Sequence, residues 1–80
     1  MKKILVVDDD PTYVKTVSES LTNAGYSVLE AFDGQEGLVA AEKETPDLIM
    51  LDLAMPKMGG IDFLKMLHQD PDINKIPVII

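Results

Sequence analysis

Eighty residues carry seven Lys, nine Asp, five Glu and no Arg, a net charge of −7. That deficit disfavours nucleic acid or an anionic membrane surface as the principal partner, and zero Cys excludes disulfides, thiolate zinc sites and a Cys nucleophile. The length allows one domain at most, burying about 60–65% of the surface of its unfolded chain. The longest apolar run, as in Ile4 to Val7, is four residues, far short of a membrane span or a signal-peptide core. A soluble, cytoplasmic protein is expected. At 46% apolar residues, the chain is also too hydrophobic for disorder.

Ile4-Leu5-Val6-Val7 is β-branched and continuous, as expected for a strand covered on both faces. Asp10-Pro11 then supplies a helix N-cap with Pro at the first helical position. Val14, Val17, Leu21 and Ala24 follow at helical spacing until Gly25 stops the helix. Tyr26 to Ala31 reads as a second strand. Asp33-Gly34 opens a second helix with Leu38 and Ala41 on its buried side, ended by Thr45-Pro46. Leu48 to Leu51 is a third buried strand, terminated by Asp52. A loop from Leu53 to Gly59 leads into a helix with Ile61, Leu64 and Leu67 as its stripe and His68 in its last turn. Asp70-Pro71 closes that helix, and Pro77 to Ile80 begins a fourth strand. This β-α-β-α-β-α-β order implies right-handed crossovers and a parallel α/β sheet.

Ligands of open parallel sheets bind beyond the carboxyl ends of strands, where strand order reverses. Strand one runs directly into Asp8-Asp9-Asp10 and strand three into Asp52. If those strands are neighbours, several carboxylates converge, and like charges that close need a proton or a cation between them. Mg²⁺ suits such a pocket, because it takes carboxylates, a carbonyl and water, and keeps positions open for phosphate oxygens. Mn²⁺ is an acceptable substitute. Zinc fits poorly, with no Cys and a single His, His68. Asp10 is read as a helix cap rather than a ligand, because Pro11 fixes the cap position. His68 has no base in view and is read as a helix C-terminal residue.

The segment Lys3 to Asp10 resembles the opening of the receiver domains of two-component response regulators. Pro46-Asp47-Leu48-Ile49-Met50-Leu51-Asp52-Leu53-Ala54-Met55-Pro56, followed by Met58-Gly59-Gly60, is similar to their phosphorylation segment. Ala31, Gly34, Glu36 and Leu38 match their second-helix pattern, so the resemblance covers essentially the whole chain. It implies a flavodoxin-like, doubly wound parallel sheet. It further implies that Asp52 takes a phosphoryl group from a phosphohistidine on a sensor histidine kinase or a histidine phosphotransfer protein. Asp9, Asp52 and the Ala54 backbone carbonyl would hold Mg²⁺, with Asp8 joining directly or through water. Tyr13 and Val14 lie where the family docks its phosphodonor helix.

The match stops at Ile80, so residues 1–80 are expected to be one receiver domain truncated after the fourth strand (βαβαβαβ), without helix 4, strand 5 and helix 5. The Ser or Thr after strand four and the Lys after strand five that complete the family's site are absent, and neither Lys57 nor Lys75 replaces that Lys. The loss of such an electrostatic contributor, worth about 2–4 kcal/mol in a transition state, predicts impaired transfer. An uncovered apolar fourth strand predicts a homo-oligomer or exchange of elements between copies. The alternative is a non-catalytic metal-binding or self-assembling fragment. An aspartyl-phosphate hydrolase needs a second Asp two residues after the nucleophile, where Ala54 stands.

Overall fold

The computed structural model describes residues 2–52 and 59–80. The elements are β1 (Lys3–Val7), α1 (Pro11–Asn23), β2 (Ser27–Ala31), α2 (Gly34–Glu44), β3 (Leu48–Leu51), α3 (Gly60–Gln69) and β4 (Val78–Ile79). All strand pairs are parallel, in the order β2-β1-β3-β4. The chain leaves β1 toward one edge and returns through β3 to build the other, so order reverses between β1 and β3. The expected doubly wound α/β architecture is present.

Register is fixed at the amino end of the β1–β3 pair by a reciprocal clasp. The Lys3 N–H donates to Asp47 Oδ2 at 2.8 Å, and the Asp47 N–H donates to the Lys3 carbonyl at 2.8 Å. The Lys3 ammonium also meets Glu44 Oε1 at 3.2 Å; both side chains are substantially exposed, so this pair adds little. Alternation along the strands then separates two cores. Ile4 and Val6 face α1 with Val14, backed by Val17, Leu21, Val28, Leu48 and Met50. Leu5, Val7, Ile49 and Leu51 face α2 and α3 with Ala31, Leu38, Ala41, Phe63, Leu67 and Ile73. Helices on both faces explain why β1 is apolar from Ile4 to Val7.

The helix boundaries follow the sequence signals. Asp10 Oδ1 accepts from the N–H groups of Thr12 (3.0 Å) and Tyr13 (3.3 Å), with Pro11 behind it. Asp33 Oδ1 accepts from Glu36 N–H at 2.8 Å while Glu36 Oε1 accepts from Phe32 N–H at 3.0 Å, a reciprocal cap on α2. Gly25 takes φ +98° after α1, a conformation that disfavours any side chain. Four expectations need correction. β2 starts at Ser27, not Tyr26. Val14 is fully buried, so it belongs to the core and offers a docking partner nothing. Ala24 is an exposed cap residue rather than part of the buried stripe of α1. Ile61 is 60% exposed, and Phe63 is the buried aromatic of α3 instead.

Phe63 is accommodated by Gly37. A Cβ there would stand 3.0 Å from Phe63 Cε1 and 3.1 and 3.3 Å from the Val7 methyls. Both neighbours are fully buried and have nowhere to retreat. Gly37→Ala therefore sets a helix-propensity gain of about 1 kcal/mol against an overpacking cost of about 1–3 kcal/mol. The expected result is net destabilisation of roughly 1 kcal/mol in urea unfolding, with a smaller cost for the same substitution made in a Phe63→Leu background.

Candidate functional site

The reversal of strand order places the carboxyl ends of β1 and β3 side by side. Val7 pairs with Leu51, and the next residues on each strand are Asp8 and Asp52. The ladder continues one step past both strands. The Asp8 N–H donates to the Ala31 carbonyl at 3.1 Å, and the Asp52 N–H donates to the Val7 carbonyl at 3.0 Å. The backbone thus holds both residues at the sheet end. Asp8 and Asp52 are half-buried, Asp9 is exposed, and each offers an oxygen within 4.8 Å of the others. The three acidic residues to which the sequence points do converge. Asp10 does not join them, since its carboxylate caps α1. Ala54, Met55, Pro56, Lys57 and Met58 lie outside the described residues, so the expected Ala54 carbonyl ligand remains a sequence expectation.

Electrostatics at this end are those of concentrated negative charge. Burial pushes the Asp8 carboxyl above its ordinary value, and the charges of Asp52, Asp9 and Asp10 push it the same way. The Asp10 N–H, donating to Asp8 Oδ1 at 2.9 Å, opposes them only in part. An acid whose folded value is raised makes its ionised form a cost to the fold. The Asp8 contribution to stability therefore improves as pH falls through the raised value toward the ordinary one. A ¹³C titration of the carboxyl carbons is expected to put the Asp8 midpoint above normal. Asp52→Asn should lower that midpoint, because one of the three repelling charges is gone.

A cavity of about 220 Å³ opens beside these groups. Asp8 and Asp52 share its lining with Val6, Met50, Ile79 and Tyr13, and Tyr13 is 48% exposed. The sequence points to Tyr13 only as a docking residue. Its presence in the cavity follows from the Asp10 cap, which sets where the first turn of α1 begins. The donor set is all hard oxygen, and the half-buried, mutually repelling carboxylates are the arrangement that a small divalent cation relieves. The residues present fit Mg²⁺ or Mn²⁺. His68 sits in the last turn of α3, as expected. No described helix is long and apolar enough to cross a membrane.

Known proteins share this sequence pattern and fold. A family model described as the response regulator receiver domain matches residues 4–80. The alkaline phosphatase synthesis transcriptional regulatory protein PhoP of Bacillus subtilis is 50% identical over 68 residues, which are 85% of this chain and 28% of that protein. The chemotaxis protein CheY4 of Vibrio cholerae superposes with a TM-score of 0.92 at 38% identity, over 98% of this chain and 65% of that one. The response regulator TrrA of Thermotoga maritima, solved in complex with Mg²⁺–BeF, gives a TM-score of 0.83 at 33% identity, over 90% of this chain and 63% of that one. The chain therefore spans about two-thirds of the matched receiver structures, and a smaller share of the longer regulator PhoP. With the family model matching nearly every residue and the fold superposing on solved receivers, the chain belongs to the response regulator receiver domain family of two-component signalling.

Proposed function

We propose that this receiver takes a phosphoryl group onto Asp52 from a phosphohistidine of a sensor histidine kinase or a phosphotransfer protein, with Mg²⁺ held by Asp9, Asp52, Asp8 and the Ala54 carbonyl. The observation that carries the reading is the meeting of Asp8, Asp9 and Asp52 at the strand-order reversal, their oxygens within 4.8 Å of one another. The Mg²⁺–BeF complex of TrrA supports the choice of ion. When bound, the cation neutralises charge on the phosphoryl oxygens and on the carboxylates around them. Asp52 supplies the nucleophilic oxygen, and its fixed backbone keeps that oxygen at the sheet end. Asp9, exposed at the rim, and the half-buried Asp8 would supply the remaining carboxylate oxygens that hold the ion. In the transfer an Asp52 oxygen forms the new P–O bond as the P–N bond of the donor breaks. The electron pair stays on the ring nitrogen, whose partner nitrogen already carries a proton, so neutral imidazole leaves.

Incubation with Mg²⁺ and a small phosphodonor, followed by intact-mass measurement and peptide mapping, tests this directly. A phosphate adduct at Asp52 is expected. Metal binding without an adduct would instead favour a non-catalytic metal-binding module. The pocket itself is tested by melting. At ten times its Kd, Mg²⁺ should add about 1.4 kcal/mol, a rise of roughly 6–11 °C for a domain this small. Asp9→Asn should remove most of that rise, and a melting temperature indifferent to Mg²⁺ would count against an assembled site.

A further inference from the structure

We infer that the outer face of α2 is a weak dimerisation surface, on which a second copy of this chain seats its own α2, antiparallel about a two-fold axis between Val39 and Ala40. The inward side of the helix is spent on the fold: Gly34, Gly37, Leu38 and Ala41 are buried, and α2 packs on β1, β2 and α3. The outward side carries a shallow groove of about 450 Å³. Gln35, Val39 and Lys43 form one bank, and Glu36, Ala40 and Glu44 form the other. Each bank steps by four residues, and such rows are the ridges that interdigitate when two helices pack. At the middle stand Val39, a branched side chain 65% exposed, and Ala40, small enough to leave a hollow beside it. A knob and a hole thus lie next to each other on one helix.

The charges at the two ends of the groove decide which partner fits. A two-fold axis between residues 39 and 40 sets Val39 against the partner's Ala40 and Glu36 against the partner's Lys43, and symmetry repeats each contact. A parallel arrangement would put Glu36 on Glu36 and Lys43 on Lys43, so the pattern selects the antiparallel one. Both charges can be used. Lys43 is exposed and has no ion-pair partner among the described residues. Glu36 lends Oε1 to the Phe32 N–H at 3.0 Å, which leaves its other oxygen to a cation. The two Glu36–Lys43 pairs also offset part of the repulsion between chains of net charge −7. One helix face falls well short of the roughly 1,200–2,000 Å² of a stable interface, so the dimer is transient, with a Kd of about 0.1–1 mM. None of the groove residues lines the acidic cavity, so the inference stands apart from the phosphoacceptor reading of Asp52.

Sedimentation equilibrium from about 0.05 to 2 mM protein tests the surface. The wild type should show a monomer–dimer equilibrium. Val39→Glu puts two carboxylates at the centre of the contact and should weaken it by at least about 10-fold. Glu is a good helix former, so the melting temperature of dilute protein should hold and serves as the folding control. Glu36→Gln keeps an oxygen for the Phe32 N–H, and with Lys43→Gln it tests the pairing. Each should weaken the dimer by about 2- to 5-fold, and the double variant should be no weaker than the weaker single one. Residues 36 and 43 stand about 10 Å apart along the helix, so that coupling reads a contact between copies. A second measurement uses the absence of Cys. In oxidised glutathione, Val39→Cys should form a disulfide-linked dimer about 10-fold faster than Lys15→Cys on α1. A constant monomer mass overturns the inference and leaves the groove to some other protein. A dimer indifferent to Val39→Glu, additive effects at positions 36 and 43, or equal cross-linking rates overturn it as well.

Discussion

Replacing Asp52 with asparagine is expected to abolish the phosphate adduct from a small phosphodonor, a loss of at least about 100-fold in rate. The amide has no anionic oxygen to attack phosphorus, and it removes one of the carboxylates that would hold Mg²⁺. The backbone position should survive, because the bond from the residue 52 N–H to the Val7 carbonyl does not depend on the side chain. Melting temperature in the absence of metal is the control for folding. Asp9→Asn separates the two roles of a carboxylate here: the nucleophile remains, so transfer should be slowed and should respond to higher Mg²⁺, whereas Asp52→Asn should not respond. An adduct persisting in Asp52→Asn would move the acceptor elsewhere and overturn the assignment.

Much of this site was legible because strand and chemistry abut in the chain. Ile4 to Val7 ends directly on Asp8, and Leu48 to Leu51 ends directly on Asp52, so two buried strands deliver carboxylates to one sheet end. What the pattern lacked was the strand order. Adjacency of β1 and β3 depends on the direction each crossover takes, and no residue spacing states it; the resemblance to receivers supplied that expectation. Helix faces were read less well. In α3 the spacing of Ile61, Leu64 and Leu67 suggested the inward stripe, yet Gly60, Phe63 and Leu67 are buried and Ile61 is not. Stripes displaced by a residue or two share positions such as Leu67, and the choice between them is made by the opposing helix. Here Gly37 leaves the space, and the largest ring in reach fills it. Ile73 was invisible for another reason: it is buried in a turn segment, which has no period to betray it. Tyr13 was noticed for its place on α1, but this cavity wall draws on four elements at once, and a linear pattern shows them singly.

The largest effect on stability is expected from Phe63→Ala, at about 3–5 kcal/mol in urea unfolding. The ring is fully buried and meets Gly37 of α2 on one side, where its Cε1 fits a space that a single Cβ would close. Val7 presses on the same space, so deleting the ring opens a void between both helices and β1 that a rigid neighbourhood refills poorly. A domain of this length holds only about 4–12 kcal/mol in total, so the substitution consumes a large share of it. Phe63→Leu, which refills part of the space, should cost less than half as much. The effect should also reach the carboxylates. Val7 carries the carbonyl that accepts from the Asp52 N–H, and its chain neighbour is Asp8. If the void lets the end of β1 shift, Phe63→Ala should bind Mg²⁺ more weakly than Phe63→Leu, measured by titration at a temperature where both are folded. Equal affinities would show that the sheet end is held by its backbone ladder alone, independently of the packing beneath it.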